Sequence, residues 1–378
     1  MNLRNNRILV LSNSWIGLHS FRKEVFQAFR NNGYEVTISC PNDDSEKAEW
    51  FRNIGCEIID TKFNRKGTNP FADLKLMIYY CNLIKSVKPI AVLSYTIKPN
   101  IYGGMACAIC GIPQLANITG LGAAVEYPGL MRKFTIILYK LGLRKTYMTF
   151  FQNDENRQFC IKHGMVNENH KLIPGSGVNL SYHSQKEYPT ENEPIRFIFI
   201  SRIRKEKGID EYLAAADAIK AKYLDKVEFH IVGWCEDEYE QRLKLLNAKG
   251  VIVYHGGQSD VRPFIAKSNC TIHPTFYPEG MSNVLLESCA AGRAIITTDR
   301  PGCREIVDDG VNGYIIKQKD IQDLIKKVEK FINLSYEEKK AMGIAARKKV
   351  EREFDRRIVI EAYLGTIKDI YRSRINDF

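Results

Sequence analysis

A chain of 378 residues is too long for one ordinary hydrophobic core, so two domains are expected. A hydrophobic content of 44% with many short Val/Ile runs excludes disordered and fibrous classes, and no apolar stretch approaches the roughly 20 residues that cross a bilayer. The net charge of +11 is uneven: residues 1–178 hold 22 Lys and Arg against 13 Asp and Glu, while the remainder hold 33 against 31. The basic first half is therefore the part open to nucleic acid, an anionic membrane or a phosphate-bearing ligand. Ten cysteines sit mostly in apolar runs, and the single pair at C-x-x-C spacing, Cys107 and Cys110, has no partner pair. Buried free thiols in a reducing cytoplasm are the expectation. The chain runs from Met1 straight into a strand without an apolar leader, so no signal peptide is expected.

In chain order, Arg7–Ser12 reads as a strand, and Gly17 lies in the loop after it. Phe21–Asn31 reads as a helix with Phe21, Val25, Phe26 and Phe29 on one face, and Tyr34–Ser39 as a second strand. The alternation continues with strands at Glu57–Asp60, Ile90–Ser94 and Gln114–Ile118, and with helices over Phe71–Val87, Tyr102–Ile109 and Leu130–Leu143. Residues 181–194, polar and holding Pro189 and Pro194, are the linker candidate. The alternation restarts at the strand Ile195–Ser201 and runs through helices Ile209–Lys222, Glu238–Lys249 and Asn283–Ala290 to a late helix around Ile358–Arg372. Strands alternating with helices predict two doubly wound, Rossmann-like α/β domains with ligands at the strand C-terminal ends. The expected boundaries are 1–180 and 195–355, with 356–378 returning to the first domain.

Two segments of the second half carry chemistry. Ser201-Arg202-Ile-Arg-Lys205-Glu-Lys207-Gly208 follows a core strand. The donor fork of Arg202 and the point charge of Lys207 suit a diphosphate, although a solvated basic loop has the same composition. Farther on, Phe276-Tyr-Pro-Glu279-Gly280-Met281-Ser282-Asn283 leads into a helix, and Glu287 follows Glu279 by eight residues. That is a little over two helical turns, so both carboxylates can face one ligand. The amides of a helix start between them form a natural anion seat. A single Glu there would do no more than stabilise the helix dipole. The seven His form no H-x-x-x-H pattern, and Glu236-Asp237-Glu238 reads as a capping cluster, so no metal site is expected. Gly120-Leu-Gly122 lacks the third glycine of a dinucleotide fingerprint.

Together these segments resemble retaining glycosyltransferases of the GT-B fold, in the family numbered four. The resemblance rests on Arg202 with Lys207, Gly233, Ser259-Asp260-Val261, Glu279-Gly280-Met281, Glu287, Ala291-Gly292, Gly302 to Glu305, and Gly310-Val-Asn312-Gly313. It spans nearly the whole second domain and implies two Rossmann-like domains facing a central cleft. It also implies Arg202, Lys207 and Glu279 as the catalytic set and Gly17, Gly280, Met281, Ser282, Asn283 and Glu287 as donor contacts, with Glu287 on the ribose. The donor is then a nucleotide sugar, UDP-linked, with no cofactor and no metal. In the first domain, His19, Arg22, Lys98 and Thr119 are acceptor candidates, and the loop Thr119-Gly-Leu-Gly122 is similar to that of relatives extending lipid-linked sugars. His19 and Arg22 also read as surface residues of a first helical turn. Ile97-Lys98 stands where many relatives have His, which leaves the first-domain catalytic group open.

The apolar stretch Leu130–Phe151 is flanked and interrupted by Arg132, Lys133, Lys140, Arg144 and Lys145, and reads either as a core helix with snorkelling cations or as a helix in the headgroup layer of an anionic membrane. The basic first half favours peripheral contact with the cytoplasmic membrane face. The implied reaction is transfer of a hexose or N-acetylhexosamine to a polyprenyl-diphosphate-linked saccharide in capsule, O-antigen or glycan assembly. A nucleotide-sugar epimerase of the same fold is the enzymatic alternative. A basic nucleic-acid-binding protein is the alternative from another class, against which stands the absence of a recognition module.

Overall fold

The computed structural model describes residues 6–61, 69–126, 128–235 and 237–376. Two compact units result: one runs to Ser176 and resumes at Arg357, and the other is Gly177–Arg356.

The N-terminal unit holds seven strands: β1 (Arg7–Leu11), β2 (Glu35–Cys40), β3 (Glu57–Asp60), β4 (Ala91–Tyr95), β5 (Gln114–Ile118), β6 (Met148–Phe151) and β7 (His170–Leu172). All pair in parallel in the order β3-β2-β1-β4-β5-β6-β7, with Leu9 of β1 between Thr37 and Val92. A sheet covered on both faces requires strands apolar on both sides, and β1 is buried from Ile8 to Leu11. Helix Arg356–Asn376 joins this unit from Arg357 onward, setting Val359, Tyr363 and Ile367 among Ile8, Leu93 and Phe150. Tyr363 OH bonds the buried Asn117 side chain at the end of β5.

The C-terminal unit holds β8 (Ile195–Ile200), β9 (Val227–Val232), β10 (Val253–Tyr254), β11 (Cys270–His273), β12 (Ala294–Thr298) and β13 (Gly313–Ile316), all parallel, in the order β10-β9-β8-β11-β12-β13. In both sheets the order reverses beside the first strand of the unit, at β1/β4 and at β8/β11. Chains leaving the two strands at such a point diverge and open a crevice between their loops.

Four expectations change. The first helix is Trp15–Asn31, capped by Ser14, so Gly17 lies in a helical turn and not in a loop. Helix Ser45–Asn53 is unforeseen because only Ala48 and Phe51 of its nine residues are buried. Helix Leu130–Leu143 forms with the expected bounds, but the stretch to Phe151 is not one helix, because Met148–Phe151 is an interior strand. Residues 181–194 are no free linker. Buried Arg293 donates to the carbonyls of Lys186 and Glu187, Arg347 donates to that of His183, and the Lys186 amide donates to Ala291. A buried guanidinium needs several acceptors, and this strap supplies part of the set.

Candidate active site

The loops after β8 and β11 meet at the switch point of the C-terminal unit. The β8 loop ends in the 3-10 turn Lys205–Lys207 and at Gly208, whose φ of +80° is left-handed. A Cβ at Gly208 would stand 2.1 Å from the Pro274 carbonyl oxygen, so the two loops touch only because this residue is glycine. The Phe276 amide (2.9 Å) and the Thr275 hydroxyl (3.1 Å) both donate to the Glu206 carbonyl, closing the junction. Thr297 and Thr298 at the end of β12 bond the carbonyls of His273 and Thr275 from below.

This junction brings Lys207 to Glu279. The Lys207 ammonium donates to Glu279 Oε1 and lies 4.5 Å from the centroid of the Tyr277 ring. His273 Nε2 is 3.7 Å from the same carboxylate oxygen, an electrostatic contact longer than a hydrogen bond. Burial opposes ionisation of Glu279, but His273 and Lys207 outweigh it and hold the carboxyl down at about 2. Glu279 is therefore a permanent acceptor. Arg202 is exposed on the same loop and makes no ion pair with any described residue.

Behind Glu279 the chain enters helix Asn283–Ala290 through Ser282. The Ser282 amide donates to the Gly302 carbonyl at 2.7 Å, so this amide is not an open donor for a ligand, contrary to the anion seat expected at the helix start. The loop after β12 makes that contact because Gly302, at φ +86°, lies flat on Gly280. The buried Ser282 hydroxyl, by contrast, has no hydrogen-bond partner among the described residues and makes no helix cap. An orphan hydroxyl at a helix start is suited to a phosphate or sugar oxygen. The Met281 side chain packs into the core with Leu285, Cys303 and Ile306, which leaves only its backbone for a donor. Asn283 is half-buried at the first helical position.

Glu287 has a different environment. Burial pushes its carboxyl up, Arg356 pulls it down in part and Asp260 adds to the rise, leaving it at about 7. His183 Nε2 is 3.9 Å away. The two carboxylates at eight-residue spacing are thus driven in opposite directions by neighbours that spacing alone does not reveal. His273, Glu279 and Cys303 bring ligating atoms within 4.8 Å of one another. Burial drives the Cys303 thiol well up, and Lys207 already occupies the carboxylate as its cation. Glu236 of the acidic run lies outside the described residues.

The N-terminal candidates divide. Arg22 is no surface residue: it is buried, its guanidinium lies 4.4 Å from the Tyr95 ring centroid, and it donates to the Gly17 carbonyl at 2.8 Å. Gly17 has only ordinary contacts, 3.8 Å or more, around the place of a Cβ, so nothing within this unit demands glycine there. His19 packs edge-on to Trp50 and Phe51 on helix Ser45–Asn53, and burial lowers its pKa, with Lys23 adding to the effect. Lys98 pairs with Asp73 at 2.7 Å, and both side chains are mostly buried. Thr119 is half-buried directly after β5. Sequence reasoning missed His273 and His183. A histidine closing the apolar strand Cys270–His273 was the signal for the first, and the second had none.

The profile of the family described as "Glycosyl transferases group 1" matches residues 183–349, and that of "Glycosyl transferase 4-like" matches residues 7–153. The chain belongs to the GT-B glycosyltransferases. It is 27% identical over 377 residues, covering 95% of this chain and 97% of the relative, to an N,N'-diacetylbacillosaminyl-diphospho-undecaprenol alpha-1,3-N-acetylgalactosaminyltransferase of Campylobacter jejuni. It is 23% identical over 388 residues, covering 94% of this chain and 93% of the relative, to a UDP-Gal:alpha-D-GlcNAc-diphosphoundecaprenol alpha-1,3-galactosyltransferase of Escherichia coli. Among solved structures, Anabaena Alr3699/HepE in complex with UDP superposes with a TM-score of 0.79 at 15% identity, over 96% of this chain and all of that one. This glycosyltransferase has no described helix long and apolar enough to cross a membrane.

Proposed function

We propose that this glycosyltransferase moves a hexose or N-acetylhexosamine from a UDP-linked donor, with retention, to a polyprenyl-diphosphate-linked saccharide at the inner membrane face, in surface polysaccharide or glycan assembly. The observation that carries the donor reading is the Lys207–Glu279 pair at the β8/β11 switch point, with Arg202 on the same loop and an orphan Ser282 hydroxyl at the helix start. The acceptor reading is supported by the two relatives, whose names each specify a diphospho-undecaprenol-linked sugar.

In this reading the ion pair is the resting state. An arriving diphosphate competes for Lys207, and Glu279 is released to accept bonds from sugar hydroxyls. As the C1–O bond breaks, negative charge grows on the departing phosphate, and Arg202 and Lys207 stabilise it without a metal. The departing phosphate takes the acceptor proton on the face it leaves, which retains configuration. Glu287, in its ionised form, accepts from the ribose hydroxyls.

The test is UDP release from a panel of UDP-sugars, with and without a polyprenyl-diphosphate-linked acceptor, repeated in EDTA. Acceptor-dependent release that survives EDTA is the expected result. A sugar isomer formed without release would establish an epimerase instead. Salt-sensitive DNA retention without sugar chemistry would overturn the reading entirely.

A further inference from the structure

The N-terminal unit exposes an apolar surface that neither the fold nor the donor site uses. Helix Pro70–Val87 turns Phe71, Leu74 and Ile78 outward at 79%, 51% and 49% exposure, a stripe at helical spacing. Helix Leu130–Leu143 does the same with Leu130 (85%), Phe134 (51%), Ile137 (54%) and Leu141 (59%). Both helices pack on the same face of the sheet through Leu76, Tyr80, Tyr139 and Leu143. Their outer residues therefore form an apolar area of the kind a water-exposed protein keeps small unless something binds it.

Between the helices lies a cavity of about 390 Å³. Leu74, Met77, Met131, Phe134 and Leu138 line it from the helices, and Ile97, Lys98, Leu121 and Gly122 line it from the loops after β4 and β5. It thus connects the exposed stripes to strand C-terminal ends, where doubly wound sheets bind ligands. Its polarity changes along the way. The stripes are apolar and carry exposed Lys133 and Lys140 on the helix that borders them. Toward the loops stand the mostly buried Lys98–Asp73 pair and Tyr102, whose hydroxyl donates to Asp73 at 2.8 Å.

We infer that this groove holds the isoprenoid chain of the lipid-linked acceptor next to its diphosphate, the chain running from the stripes to Lys98. An apolar wall ending at a lysine matches a hydrocarbon chain that ends in an anion, which would compete with Asp73 for Lys98, and the lysines beside the stripes match an anionic surface from which such a lipid would enter. The inference rests on the acceptor reading above and assigns the part of this chain that recognises the lipid. It makes Lys98 a contact of the diphosphate end of the lipid and gives the Leu130–Leu143 helix a binding role beyond surface attachment.

The test uses farnesyl diphosphate as a short soluble probe, with inorganic diphosphate as reference, in calorimetric titrations of the whole protein. The expected result is binding at least tenfold tighter than inorganic diphosphate, lost in Ala124→Phe, which fills the groove from a surface position, and in Phe134→Glu, which charges its wall. Circular dichroism of both variants should match the wild type, since both residues are exposed. The inference is overturned if farnesyl diphosphate binds no better than diphosphate, if neither variant weakens it, or if a lysophospholipid displaces it equally well. A stable dimer that buries the stripes in light scattering would overturn it as well. Failure of the acceptor reading is distinguishable: farnesyl diphosphate would still bind and respond to the variants, while no sugar transfer to a polyprenyl acceptor would occur.

Discussion

The two units share one topology and put opposite chemistry at the same place in it. In the C-terminal unit, the β8/β11 switch point holds an ion pair, an exposed arginine and an orphan hydroxyl within two loops. In the N-terminal unit, the β1/β4 switch point holds a buried Arg22 over Tyr95, beside β5, whose Asn117 is held by Tyr363 of the last helix. The first arrangement leaves charge available to an anion. The second satisfies its cation internally and leaves apolar surface to one side. A doubly wound sheet specifies where loops converge; which ligand they meet is set by a few side chains at the convergence.

The sharpest way to break the comparison is at Glu279. Glu279→Gln should lower kcat by roughly a thousandfold, in the range of losing one electrostatic contact to the reacting centre. Glu279→Ala should also lower stability by about 3 kcal/mol, since it leaves a buried ammonium unpaired, and Lys207→Ala in the same chain should restore part of it in urea denaturation. Next in size is Gly208→Ala. With a left-handed φ and a carbonyl 2.1 Å from the new Cβ, the loops after β8 and β11 must part, and donor binding and thermal stability should fall together. Arg202→Ala, at an exposed residue, should instead weaken UDP binding by about tenfold, consistent with a charge-assisted bond worth about 1.5 kcal/mol, and leave stability unchanged.

A smaller effect distinguishes the two carboxylates. Glu287 lies at about 7, above the ordinary carboxylate value of 4.5. The proton it holds in the folded state stabilises the protein below about pH 4.5, and that contribution fades as the pH rises toward 7. Nucleotide binding runs the other way, because ribose hydroxyls need the ionised acceptor. UDP-sugar affinity, measured with a diester that has no ionisation in this range, should fall by up to about tenfold from pH 8 to pH 6. Glu287→Gln should bind weakly and show no such step, while Glu279, held down at about 2, should add none. The smallest change is expected at His19. Its ring packs on Trp50 and Phe51, so His19→Phe should cost little in stability, and any rise in acceptor KM with UDP affinity intact would give it a role beyond packing.

Much of this was legible without coordinates, for identifiable reasons. Runs such as Ile8–Leu11 and Ala294–Thr298 can only be buried strands, and their alternation with capped helices specifies two parallel sheets. Glu279 and Lys207 stand out because each adjoins a glycine in the chain itself, Arg202 because it directly follows a core strand, and Glu287 because it follows Glu279 by eight residues on a helix. What stayed hidden depends on residues far apart in sequence. Gly17 read as a loop because its cap, Ser14, looks like any serine after a strand. Residues 181–194 read as a linker because their partners, Arg293 and Arg347, come more than 100 residues later. By itself the sequence determined the fold class, the place of the candidate donor site and the residue types in it, because those follow from local periodicity and short spacings. Only the tertiary structure decided that Lys207 neutralises Glu279, that Glu287 is pushed the opposite way, that Arg22 is buried on Tyr95, and that two distant helices enclose an apolar groove. Burial and charge pairing across the fold are set by which segments the sheet order brings side by side, and no stretch of chain encodes that alone.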